Sequence, residues 1–274
     1  MFSNAHLAPI GEVTGPLSTV SGSSRPDVFL FDLNVLFDAH QGQMTPAFAT
    51  YLRDFADQRL CYLLSNLNYA EIASRVPASV LRSFAGTFAS AGTELWCKDD
   101  VLIRHEHRFS DDLFEFLAKV VLSSRYPFKQ APLIDNGPAT LRVCLAGTRA
   151  GHSAKRAYLA WEREHRELDE VIKAVRMRFP DHSICKDTET SLLIMPASYS
   201  TAMVQDHILR RHKSARVIGY LSEAAAEGFA KPLCNAFLDS NIWSTVAGAS
   251  DVSQLLSYEK RRMSEVAPRL VLES

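Results

Sequence analysis

The chain has 274 residues, enough for one large domain or two small ones. Hydrophobic residues make up 47% and charged residues 22%, the balance of a globular protein, and a net charge of −1 excludes a general affinity for nucleic acid or anionic membranes. No apolar run approaches the roughly 18 residues that cross a bilayer. Five scattered cysteines without a CxxC pair argue for a reducing, cytoplasmic setting and against a disulfide framework or zinc site.

Residues 1–26 are rich in Gly, Ser, Thr and Pro and lack the basic start and apolar centre of a signal peptide, so they read as a flexible leader. Val28–Phe31 reads as a short apolar strand of the buried parallel kind. "TPAFATYLRDFADQ" follows with helical spacing, opened by Thr45-Pro46 and carrying Phe48, Leu52 and Phe55 on one face. "LCYLLSN" is a second buried strand, and "YAEIASRVPASVLRSF" is helical with an interruption at Pro77. This alternation predicts an α/β sheet with right-handed crossovers.

In the middle, "RHEHR" places His105 and His107 on one face of a strand. Without a third ligand in spacing, it reads as a solvated strand rather than a metal pair. "SDDLFEFLAKVVLSSRY" is a helix with Ser110 as N-cap and two acids in its first turn. After the strand "ATLRVCLAG", one long helix is expected from Ser153 to Phe179. Its stripe of Tyr158, Trp161, His165, Leu168, Ile172, Val175 and Phe179 is longer than one small lobe needs. "SLLIMP" is another strand. In the tail, "TAMVQDHILRRH" is a helix whose "RRHK" end is exposed, "ARVIGYL" is a buried strand, and "SEAAAEG" is a polar loop. The expected organisation is a core built from 27–99 and 198–274, with an inserted α/β cap at 100–197.

The order of elements, with "VFLFDLNVLFD", "YLLSNLNYAEI" and the cap helix "YLAWEREHRELDEVIKAVRMRFPD", resembles the haloacid dehalogenase superfamily. The resemblance runs from about Val28 to Tyr258 and is to the phosphomannomutase-like branch, which carries an inserted α/β cap. It implies a Rossmann-like parallel-sheet core in which a carboxylate attacks phosphorus and a second acid two residues on handles the proton. Asp32 stands at the nucleophile position and Asn34 at the acid/base position, where an amide cannot do proton transfer. Val35 and Leu36 replace the Gly-Thr of the phosphate turn. Ser65 stands at the second-motif hydroxyl, with Asn66 and Asn68 beside it, and Thr201 falls where a Lys is expected.

The implied cofactor is Mg²⁺, with Asp32, the Asn34 backbone carbonyl and Glu223 as ligands. Ala230 and Lys231 take the place of the later Asn and Asp, so weak Mg²⁺ binding or none is expected. In the cap, Gly137, Thr148 and Leu193 stand where sugar-phosphate-binding arginines and an Asp belong, with Arg142 and Arg149 close by. Asn66, Arg142, Arg149 and Lys231 are therefore the candidate substrate-binding residues.

Three functions follow from these matches. The first is a protein that keeps the fold for binding or scaffolding and has lost phosphoryl transfer. The second is an Asp32-based phosphohydrolase or phosphotransferase with an altered site, acting on a small phosphorylated metabolite. The third is a metal-independent dehalogenase-like hydrolase. The resemblance also implies a homodimer formed through the cap, and a small phosphorylated ligand or a protein as partner.

Overall fold

A computed structural model describes residues 25–37, 43–237 and 242–266. Residues 1–24 of the leader expected at 1–26, and Asp38 of the opening motif, lie outside the described residues. The first strand, β1 (Asp27–Asp32), is buried almost throughout and runs into a 3₁₀ turn at Leu33–Leu36. Helix α1 (Pro46–Ala56) begins as its sequence dictates: the Thr45 hydroxyl accepts the Phe48 N–H at 3.3 Å, and Pro46 occupies the first helical position. Strand β2 (Leu60–Leu64) leads to α2 (Tyr69–Ala73), which opens with a capping box between Asn68 and Glu71, and Pro77 separates α2 from α3 (Ala78–Ser83). Strands β3 (Gly86–Ala89), β4 (Glu94–Cys97) and β5 (Asp100–Arg104) follow.

The next block holds α4 (Asp111–Ser123), capped by Ser110, then β6 (Ile134–Asn136), β7 (Leu141–Val143), α5 (His152–His165), α6 (Glu167–Arg178), β8 (His182–Thr188) and β9 (Ser191–Pro196). The tail supplies α7 (Ala202–Arg211), β10 (Arg216–Leu221), α8 (Glu223–Glu227), α9 (Lys231–Ala236), β11 (Ile242–Thr245) and α10 (Ala249–Val266).

Two sheets result. The larger has the order β11-β10-β1-β2-β3-β4-β5, parallel from β11 to β3 and antiparallel at β4 and β5. The middle strand of its parallel part, β1, is covered on one face by Phe29, Phe31, Leu52, Phe55 and Ile218 and on the other by Val28, Leu30, Val204, Val217 and Leu233. The smaller sheet is antiparallel, in the order β6-β7-β9-β8. It shares an apolar core with α4, α5 and α6 that includes Leu113, Leu141, Tyr158, Leu168, Val175 and Ile194.

Several expectations are corrected. The large sheet takes β5 (Asp100–Arg104), from the segment expected to open the cap, as its edge strand. The expected single helix over 153–179 is two, because Arg166 adopts a left-handed conformation (φ 49°, ψ 38°) between α5 and α6. Along the apolar stripe, Tyr158, Leu168 and Val175 are fully buried in the cap, Trp161 and Ile172 are half-buried against that core, and His165 lies outside against Trp161. "SEAAAEG" forms the helix α8, because the Ser222 hydroxyl accepts the Ala225 N–H at 3.3 Å and starts a turn. Among the described residues no helix is long and apolar enough to cross a membrane.

Candidate functional site

The carboxyl ends of β1, β2 and β10 meet beneath the cap. Asp32, the last residue of β1, is fully buried. Its Oδ2 accepts the Ser222 N–H at 3.2 Å, the Ser222 hydroxyl, and the Asn34 Nδ2–H at 3.5 Å. Its Oδ1 is buried and has no hydrogen-bond partner among the described residues. Burial pushes the Asp32 carboxyl above its ordinary value, outweighing the opposing hydrogen bonds from Ser222 and Asn34. Val35 and Leu36, which stand in place of a small, polar phosphate turn, are fully buried in the core beside Phe31 and Tyr220.

Ser65 follows β2 and is also buried. Its hydroxyl donates to the Asn66 Oδ1 at 3.4 Å and accepts the Leu67 N–H at 3.1 Å. Asn66 in turn reaches across to the cap, where its Nδ2 donates to the Asp187 Oδ1. Arg142 of β7 completes this contact. Its Nη2 donates to the Asn66 carbonyl at 2.7 Å, its Nε lies 3.0 Å from Asp187, and its Nη1 lies 3.4 Å from Glu71 and 3.8 Å from Asp135. Burial opposes the charge on Arg142, but Asp187, Glu71 and Asp135 outweigh it and hold the guanidinium above its ordinary value. One cation therefore faces three carboxylates and is engaged by them.

Between core and cap lies a cleft of about 90 Å³, lined by Asn34, Asn66, Arg142, Thr148, Lys155 and Thr188 among others.

The sequence-derived candidates divide accordingly. Asp32, Asn34, Ser65, Asn66 and Arg142 gather at this junction. Thr201 does not join them: its hydroxyl donates to the Phe229 carbonyl at 2.8 Å, tying the start of α7 to the segment before α9. Lys231 begins α9 with its side chain exposed, and Arg149 is exposed as well, whereas its neighbour Thr148 lines the cleft. Glu223 lies exposed in the first turn of α8, and the residue facing Asp32 is Ser222, one position earlier. The signal for Ser222 was its place directly after the strand that pairs with β1. Asp187 carried no local signal.

The donor set does not suit Mg²⁺. Asp32 gives one oxygen to three hydrogen bonds and buries the other, Glu223 lies exposed in the first turn of α8, and a hydroxyl stands where an acid would be needed. Among the described residues no three His, Cys, Asp or Glu side chains are grouped so as to hold a metal ion. His105 and His107 are not part of a solvated strand, since β5 ends before them and both are half-buried against aromatic rings. In "RRHK", Arg210, Arg211 and Lys213 are exposed, but the His212 ring is bonded to the Tyr62 hydroxyl at 2.8 Å.

No family profile and no curated protein matches the chain. Solved structures do. A haloacid dehalogenase-like hydrolase from Bacteroides thetaiotaomicron superposes with a TM-score of 0.56 at 10% identity, over 85% of this chain and 99% of that one. An IMP-bound, N-terminally truncated IMP-nucleotidase from Plasmodium falciparum gives 0.54 at 10% identity, over 85% and 68%. The C-terminal domain of trehalose-6-phosphate phosphatase from C. albicans gives 0.53 at 11% identity, over 78% and 74%. With a parallel-dominated core sheet, Asp32 at the end of the middle strand of its parallel part and a second α/β lobe inserted above it, this chain has the fold of the haloacid dehalogenase superfamily.

Proposed function

We propose that this chain belongs to the phosphomannomutase-like branch of that fold, has lost phosphoryl transfer, and acts by binding a small phosphorylated ligand or a protein partner. Asp32 carries the reading. A carboxylate nucleophile has to be ionised and open to the phosphorus it attacks. Asp32 is sealed from solvent, is driven toward its protonated form by burial, and has one oxygen occupied by Ser222 and Asn34. The amide of Asn34 cannot exchange a proton near neutral pH, which removes a contribution of ~10²–10⁴-fold, or about 3–5 kcal/mol of barrier. The antiparallel cap sheet, inserted between two core segments, supports the choice of branch.

Phosphate release from aryl and sugar phosphates in the presence of Mg²⁺ tests the proposal. Turnover near background is expected, with no change on Asp32→Asn and no tight Mg²⁺ binding by calorimetry. Asn34→Asp alone should not restore activity, because Ser222 still occupies Asp32 and Val35 and Leu36 still fill the phosphate turn. Clear wild-type turnover abolished by Asp32→Asn would overturn the reading and favour an altered-site phosphohydrolase.

A further inference from the structure

Two connections join the lobes: residues 105–110 between β5 and α4, and residues 197–201 between β9 and α7. Four imidazoles collect around them. The His105 ring lies 5.0 Å from the Tyr199 ring and 6.4 Å from His207 of α7. The His107 ring lies 4.8 Å from Phe109 and 5.7 Å from His182, the first residue of β8. The backbone ties this layer to both lobes, since the His105 N–H donates to the Thr93 carbonyl of the core at 2.9 Å and the His107 N–H to the Pro138 carbonyl of the cap at 2.8 Å. The Tyr199 hydroxyl, donating to the Glu106 carbonyl at 3.3 Å, ties the two connections together.

Two ring nitrogens, His105 Nε2 and His182 Nε2, are buried with no hydrogen-bond partner among the described residues. A neutral imidazole tolerates such a place, because one of its nitrogens carries no proton. An imidazolium donates from both nitrogens, and a buried donor without an acceptor is costly. We propose that this layer is a pH-sensitive joint, in which protonation of His105, whose buried Nε2 has no acceptor, and of His107, packed against the Phe109 and His182 rings, loosens both connections and frees the cap from the core in mildly acidic solution.

The charged neighbours do not cancel this effect. Asp181 of the cap bonds the His182 Nδ1 at 2.9 Å and favours charge on His107, against burial and His182, which together hold His107 below the ordinary imidazole value. Burial alone lowers His105. On α7, burial, Arg210 and His105 lower His207, with Asp206 opposing. Glu106 and Arg108, on the first connection itself, are exposed. Folding thus favours the neutral rings. Their stabilising contribution is complete above the ordinary value of 6.5 and is lost as the pH falls below it.

Hydrogen exchange of the full chain at pH 7.5 and pH 5.5, corrected for intrinsic rates, tests the joint. At pH 5.5 the amides of 105–110, 197–201, 66–72 and β8 should lose protection at least ten-fold, while β1 and β2 keep theirs. The variant His105→Gln/His107→Gln should show no such response. Unchanged protection in the wild-type protein, or a response that persists in the variant, overturns the proposal. If the double variant does not fold, the wild-type loss of protection is compared with histidine ring titrations by NMR. A loss that follows neither the His105 nor the His107 titration overturns it equally.

Discussion

Asp32 has one oxygen bonded to Ser222 and Asn34 and the other buried without a partner. Such a side chain is closer in demand to a neutral amide than to a carboxylate. Because its folded value lies above the ordinary 3.8, the protonated form is favoured by folding; its contribution is most favourable below 3.8 and turns adverse as the pH rises. Asp32→Asn should therefore raise the thermal midpoint at pH 7 by roughly 2–4 °C, about 1 kcal/mol for a chain of this size. The gain should shrink toward pH 4, as followed by circular dichroism. An unchanged or lower midpoint at pH 7 would mean that Asp32 is an ionised, satisfied carboxylate.

The break between α5 and α6 has a local cause that periodicity does not register. Glu162 is buried on α5, and its two carboxyl oxygens accept the Leu168 N–H at 3.1 and 3.2 Å. That N–H belongs to the first turn of α6, where a carboxylate also suits the helix dipole. The Tyr158 hydroxyl holds the same carboxylate at 3.3 Å. The chain pivots at Arg166 to make this cap, at the expense of left-handed backbone in a residue with a Cβ. Arg166→Gly should consequently stabilise the protein by about 1 kcal/mol in chemical denaturation. In an uninterrupted helix the same change would destabilise by about the same amount, so the sign of the effect distinguishes the two arrangements.

At the scale of the molecule, the lobes are held by Arg142 together with Asn66, Glu71 and Asp187. Arg142 and Asp187 are both nearly excluded from solvent, at 9% and 4% exposure, so removing one partner strands the other in a poorly solvated place. Arg142→Met should cost about 3–5 kcal/mol. Adding Asp187→Leu should recover a large part of that loss, because the uncompensated carboxylate is then gone. A small loss for Arg142→Met alone would show that the two lobes are held together mainly by apolar packing such as Leu193 and Met195 of β9 against the core.

The elements themselves were readable from short stretches. Thr45-Pro46, Ser110 and the Asn68–Glu71 box mark helix starts because a cap is satisfied within one turn, and the apolar run before Asp32 marks a strand buried on both faces. The positions of Asp32 and Ser65 at strand ends, and the substitution of Asn34 for an acid, were legible for the same reason. Which groups would meet was not. Asp187 lies 121 residues from Asn66, and Ser222 lies 190 from Asp32. Thr201, Lys231 and Glu223 were assigned by order along the chain, yet their side chains are directed by the packing of α7, α8 and α9. Local sequence determined the strands and helices through hydrogen bonds and spacing that span a few residues. The tertiary structure alone decided that the buried carboxylate is paired with a serine and the cap arginine with acids, because those contacts exist only once distant strands lie side by side.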